Sequence, residues 1–242
     1  MLRLAFVVII SLPFIIYYMC IGAYIEKHGE RYDEKARYKV ARKVVACMMR
    51  NGFVRTKVYG KENLPKEGGY GLFSNHQGKY DAIGIIYGHD KPCTIMMDEK
   101  RSRLIIVNQF IRLIKGCRLD KSSIEAQVRA IKTVTEELKQ GRKYIIFPEG
   151  GYYHNRNAVM DFMPGAFKCA IRAKCPIVPV AIIDSYKPFE INSLRKVTTQ
   201  VHFLEPLCYE DYKGMKTDEI ATIVRERIVA KMDSVLKNNN KK

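Results

Sequence analysis

The stretch FSNHQGKYD, Phe73 to Asp81, sets an imidazole five positions before a carboxylate. Such a pair can work as a base whose partner fixes the ring tautomer. On a continuous helix the two side chains lie about 140° apart and do not meet. They meet if a strand ends at Asn75, Gln77-Gly78 makes a turn, and a helix starts near Lys79, with Gly78 supplying the turn's freedom. Asp81 then occupies the first helical turn, where a negative charge is favoured, and accepts a hydrogen bond from one ring nitrogen of His76. The other nitrogen is left to take a proton from a hydroxyl. Alone, the pattern also fits a loop histidine beside an aspartate cap.

Two further segments carry chemistry. QGRKYIIFPEGG, Gln140 to Gly151, runs an apolar strand into Pro148-Glu149-Gly150, a turn that places a carboxylate and backbone N–H groups at a sheet edge. CPIVPVAI, Cys175 to Ile182, holds two prolines in an apolar strand, the mark of an edge or a bend. No CxxC pair or HExxH supports a zinc site, and no GxSxG supports a hydrolase elbow. The seven cysteines are odd in number and scattered, which predicts reduced, buried thiols.

The elements that must position these groups are short apolar runs alternating with helical periods. Strands are predicted at 54–59, 70–74, 94–97, 144–147, 177–183 and 197–204. A helix over about 123–140 has Ser122 and Glu125 as a capping box, a stripe of Ile124, Val128, Ile131, Val134 and Leu138, and Gly141 as its stop. A second spans Asp218–Leu236 with Thr217 as cap. Helices between buried strands imply an α/β layer fold.

Ahead of this lies Leu4–Ile25, which contains no charge. Its length suffices to span roughly 30 Å of hydrocarbon, although Pro13 would kink it and allow a bend within one leaflet. A cleaved signal would need small residues before the cut, and Cys20-Ile21-Gly22-Ala23 fits that poorly. Glu26–Gly60 carries ten Lys/Arg against four Asp/Glu, a local +6, and such flanks stay cytoplasmic. Within it, Ala41, Val44, Val45, Met48 and Met49 share one helical face, with Lys35, Lys39, Lys43 and Arg50 opposite. That stripe can enter an anionic membrane interface or pack on the protein's own core. The whole chain is +17, from 42 basic and 25 acidic residues, so the partner is anionic. No helix-turn-helix, zinc finger or RNP signature points to nucleic acid.

In order and spacing, Asn75-His76 with Asp81, then Phe147-Pro148-Glu149-Gly150, then Pro176-Ile177-Val178-Pro179-Val180 resemble the motifs of the glycerolipid acyltransferase family, with Val58–Pro65 similar to the segment that precedes the histidine motif. The resemblance spans Val58 to about Ile183. It implies an α/β fold, a central mixed sheet flanked by helices; the run Leu4–Ile25 and the basic helix after it read as a membrane-attached two-helix segment ahead of that fold. The expected division is 1–53 for that helical pair, 54–236 for the catalytic domain and 237–242 for a disordered tail.

The activity it implies is transfer of an acyl group from a thioester to the free hydroxyl of a 1-acylglycerol 3-phosphate, giving phosphatidic acid. His76 would be the general base and Asp81 its orienting partner; Asn75, Glu149 and Gly150 would serve substrate binding. The family's second motif ends in Val-Asp-Arg and binds phosphate. Its nearest match, Gly116–Lys121, is one residue short and has lysine for arginine, so Lys121 and Arg118 are the candidates there. Lysine keeps the charge and loses the bidentate fork. After Glu149-Gly150 the family shows Thr or Ser and then Arg; here stand Gly151-Tyr152, and Arg156 is the nearest replacement charge. Acyl-CoA or acyl carrier protein would be the donor substrate, with no metal or other cofactor. An anionic phospholipid membrane and lysophosphatidic acid would be the partners, with no nucleic acid, at the cell membrane and with the catalytic domain on the cytoplasmic face. Alternatives are another lysophospholipid or glycerol 3-phosphate as acceptor, or a non-catalytic basic membrane-binding module.

Overall fold

Both faces of the central sheet are covered, and its inner strands are accordingly apolar at nearly every position. The computed structural model describes residues 2–239. The strands are β1 Val54–Tyr59, β2 Tyr70–Ser74, β3 Thr94–Asp98, β4 Cys117–Leu119, β5 Lys143–Ile146, β6 Ile177–Ile183 and β7 Val197–Phe203. They form one sheet in the order β1-β7-β6-β2-β5-β3-β4. Every neighbouring pair is parallel except β6 with β7. This is the mixed sheet expected; β4 was not foreseen, and four predicted strand limits move by one residue.

The helices are α1 Leu2–Ile10, α2 Leu12–Lys27, α3 Glu34–Asn51, α4 Asp81–Gly88, α5 Glu99–Ser102, α6 Ile105–Leu113, α7 Ile124–Lys139, α8 Lys168–Ala173, α9 Lys187–Glu190, α10 Tyr209–Tyr212 and α11 Thr217–Asn239. Side chains alternate between two cores. Leu72, Ile145, Val178, Val180 and Ile182 face α3, α4 and α6. Phe73, Tyr144, Ile146, Ile177, Ala181 and Ile183 face α7, α8 and α11.

The N-terminal segment departs from the expected pair of helices. Its apolar run breaks at Ser11 and bends by 69°, so that three helices precede β1. No single helix among the described residues is long and apolar enough to cross a membrane, but α1 and α2 together pass that test as a bent pair. The break is fixed from inside: Ser11 is buried and its hydroxyl accepts from Asn51 Nδ2 at 2.8 Å. Arg3 is fully buried and donates to the carbonyls of Lys187, Pro188 and Arg195. On α3, Tyr38, Ala41, Val45 and Met49 join the main core while Lys35, Lys39, Lys43 and Arg50 stay exposed. The apolar stripe of α3 therefore packs on the protein itself. Residue 53 marks a change from helix to strand, not a break in packing.

Five smaller expectations change. Ser123, not Ser122, caps α7, accepting from the Ala126 amide at 3.2 Å. Ile124 and Val128 are exposed, and Ala130, Val134, Thr135 and Leu138 form the buried face. Pro179 lies in a central strand, not at an edge. Its missing N–H falls in the gap between the Ile177–Leu207 bridge and the β6–β7 ladder that begins at Val180, where Leu204 still donates to the Pro179 carbonyl at 2.9 Å. Helix α11 runs through Asn239, so a tail from 237 is not seen; residues 240–242 lie outside the described residues. All seven cysteines are unpaired, and Cys20 and Cys208 are exposed, not buried.

Candidate active site

Four parallel strands, β6, β2, β5 and β3, end on the same side of the sheet, where ligands of open α/β folds bind. β2 delivers Asn75 and His76, β5 delivers Phe147–Gly150, β3 leads into α5, and β6 leads into Asp184. Short parallel β4 brings Lys121 to the same rim. Residues far apart in sequence meet here because the strands that carry them are neighbours.

After Ser74 the chain turns at Gly78–Tyr80 and enters α4 with Asp81 as its first residue. One oxygen of Asp81 accepts from His76 Nδ1 at 2.5 Å and from the amides of Gln77 and Gly78 at 2.6 and 2.8 Å. Asp81 is fully buried. Gly78 does not have the positive φ that would demand glycine; what the turn uses is its N–H. With Nδ1 donating to Asp81, the lone pair of the neutral ring lies on Nε2. The His76 side chain keeps 15% of its surface exposed, and Nε2 has no hydrogen-bond partner among the described residues. Phe147 stacks on the ring at 4.2 Å between centroids, and Tyr152 meets it edge-on at 4.7 Å.

The turn that carries His76 is held by side-chain amides. Asn75 pairs with the backbone of Ile182, donating to its carbonyl at 3.0 Å and accepting from its N–H at 2.9 Å. Gln77 bonds Ile182 and Asn157 and accepts from the Ser185 amide. Asn155 donates to the His76 carbonyl at 3.1 Å. Asn75 is fully buried, and its amide is spent on β6, so it secures the turn and does not reach a substrate. Gln77, Asn155 and Asn157 were not singled out from sequence, because amide pairing across the fold leaves no local spacing.

Glu149 is 7% exposed and lies beneath the histidine, with Oε1 accepting from the His76 amide at 3.0 Å. Burial raises its carboxyl to about 7, outweighing the pull of the His76 and Met160 amides. Gly150 takes a φ of +70°, the left-handed conformation that suits glycine, and its carbonyl accepts from Lys121 Nζ at 2.5 Å. Lys121 thus reaches the rim next to His76. Arg118 instead bonds Asn108 at 2.6 Å. Arg156 turns to Glu190 at 3.4 Å and lies over Tyr186, so it does not replace a charge at Tyr152.

A family model described as Acyltransferase matches residues 55–183, more than half of the chain. The chain belongs to the acyltransferase family. The enzyme is 28% identical over 195 residues to the 1-acyl-sn-glycerol-3-phosphate acyltransferase of Borreliella burgdorferi, covering 75% of this chain and 73% of that one. It is 27% identical over 178 residues to the yeast protein of that name, with 72% and 58% covered. Its similarity to the human alpha form is 26% over 174 residues, with 70% and 60% covered. The acyltransferase thus spans about three fifths of these two eukaryotic relatives. The crystal structure of the 1-acyl-sn-glycerophosphate acyltransferase of Thermotoga maritima has the same fold, with a TM-score of 0.79, 23% identity, and 97% and 94% of the two chains covered.

Proposed function

We propose that this acyltransferase moves an acyl group from a thioester to the free hydroxyl of a 1-acylglycerol 3-phosphate, producing phosphatidic acid for phospholipid synthesis. The names of its relatives support the acceptor class. The observation that carries the mechanism is the 2.5 Å bond between His76 Nδ1 and Asp81, which leaves Nε2 to meet the hydroxyl. Nε2 takes the hydroxyl proton as the oxygen attacks the thioester carbonyl. The tetrahedral intermediate collapses, the C–S bond breaks, and the imidazolium returns the proton to the departing thiolate. Asp81 holds the tautomer and balances the imidazolium. A thioester is already activated, so alignment and proton transfer supply most of what is needed, with acyl-CoA or acyl carrier protein as donor and no further cofactor.

The exposed side chains of Leu2, Ile9, Ile10, Leu12, Phe14, Ile16 and Tyr17 on α1 and α2 support docking on a phospholipid bilayer. The basic flank after α2 favours the cytoplasmic side. Detergent-solubilised protein offered a labelled acyl donor and a panel of acceptors should give labelled phosphatidic acid from lysophosphatidic acid, and His76→Ala should slow it about 10²- to 10⁴-fold. Transfer to another acceptor alone, or unchanged transfer in His76→Ala, would overturn this reading.

A further inference from the structure

Arg101 brings an unbalanced charge to the edge of the His76 site. It lies in α5, whose first turn is fixed by Asp98: that carboxylate accepts from the Arg101 amide at 3.0 Å. The guanidinium carbon sits over the Tyr152 ring, 5.0 Å from its centroid. The same ring meets His76 edge-on. Among the described residues no carboxylate lies within ion-pair distance of Arg101, whereas its neighbour Arg103 is paired with Glu99. A guanidinium on an aromatic face is attracted by the ring and keeps its fork of N–H donors available.

The reaction restricts where the acceptor's charge can lie. Its hydroxyl must come within hydrogen-bond reach of Nε2. In a 1-acylglycerol 3-phosphate, only one methylene and one ester oxygen separate the hydroxyl-bearing carbon from phosphorus, so the phosphate stays close to the imidazole. Phe147 covers one face of that ring, and Asp81 fills its buried edge. The Tyr152 side carries the cations: Arg101, and Lys121 on the Gly150 carbonyl. Lys121 already has Asp98 at 3.9 Å, which leaves Arg101 as the fuller charge for a dianion.

We propose that Arg101, held on the ring of Tyr152, is a specificity-determining residue that binds the phosphomonoester of the acceptor together with Lys121. The assignment rests on the acceptor class proposed above. Tyr152 serves as the platform that places the fork beside His76.

Steady-state kinetics of the full chain in detergent–lipid micelles test this, with acyl-CoA and, in parallel, acyl carrier protein as donor. Arg101→Ala should raise the KM for lysophosphatidic acid about tenfold to a hundredfold, as expected for losing charge-assisted hydrogen bonds. Its kcat, donor KM and melting temperature should stay at parental values, and Arg101→Lys should recover part of the loss. If Arg101→Ala does not fold, the neutral Arg101→Gln serves the same comparison. A parental acceptor KM, or a rise shared equally by the donor KM, overturns the proposal while the functional reading stands. A parent chain that leaves lysophosphatidic acid untouched with either donor overturns the functional reading and this proposal with it.

Discussion

Asp81 and His76 are joined through a single carboxylate oxygen that also accepts from the two backbone amides following the histidine. Asp81 therefore orients both the ring and the turn that carries it. His76→Ala should lower turnover by about 10²- to 10⁴-fold, the usual worth of a positioned general base, and leave the melting temperature near its parental value. Asp81→Asn should be comparably slow and also less stable. An amide oxygen still accepts but carries no charge, so the bonds from the ring and from the two backbone amides all weaken, at a cost of about 1–3 kcal/mol. Because the two groups act as a unit, the double variant should turn over no more slowly than His76→Ala. Parallel assays and melts of the three variants check this.

Glu149 makes the stability of the fold depend on pH in a direction opposite to that of most carboxylates. Its carboxyl stands at about 7 in the folded chain against an ordinary 4.5. Between those values the folded state holds more protons than the unfolded one, so this group's contribution falls as pH rises through the window. Glu149→Gln, which remains neutral and can still accept from the His76 amide, should be stabilised relative to the parent at pH 8 and much less so at pH 4.5. Thermal melts of both proteins at the two pH values measure the difference. A gap independent of pH would show that the carboxyl titrates normally.

The histidine pair, the β2–turn–α4 geometry and six of the seven strands were legible in the sequence because each rests on local pattern. β2 and β6 are buried along their whole length and read as uninterrupted apolar runs. β4 has three half-buried residues and no such run. The stripe on α7 was misread because Ile124 and Val128 are apolar yet exposed, and periodicity does not report what lies opposite a helix face. The amides of Asn75 and Gln77 bond β6 and Asn157, and Arg101 meets Tyr152 only because β3 and β5 are neighbours. Those relationships follow from strand order, which no spacing in the chain encodes.

Tyr38 ties α3 to the far end of the helix that Asp81 begins. Its hydroxyl lies 3.0 Å from the Ile86 carbonyl, 2.9 Å from the His89 carbonyl and 3.2 Å from the thiol of Cys93. Burial and Cys93 push its ionisation far above the ordinary tyrosine range, so it stays a neutral donor. Tyr38→Phe keeps the ring in the core and removes only the hydroxyl. It should cost about 1–3 kcal/mol of stability, since buried acceptors lose their donor, and leave turnover nearly unchanged because Asp81 has its own bonds at the other end of α4. Denaturant titration beside an activity assay separates the two effects. A large fall in turnover at unchanged stability would mean that α3 positions the site.

The outward face of α2 offers a way to separate membrane docking from folding. Phe14 and Ile16 are exposed, whereas Ile15 and Ile25 on the same helix are buried against the protein. The bend at Ser11 and the burial of Arg3 hold α1 and α2 to the domain without help from the outward side chains. Replacing Phe14 and Ile16 by glutamate should therefore leave the melting temperature in detergent almost unchanged. Binding to vesicles of anionic phospholipid should weaken by at least about a hundredfold, since each large apolar side chain that leaves the bilayer forfeits about 1.5–3 kcal/mol. Ile15→Glu should do the reverse first: it places a charge against the core and should unfold the N-terminal helices before binding is measured. Cosedimentation with vesicles, paired with thermal melts, checks both variants. Parental vesicle binding in the Phe14→Glu, Ile16→Glu protein would show that the membrane meets a different face, and the apolar surface of α2 would then need another partner.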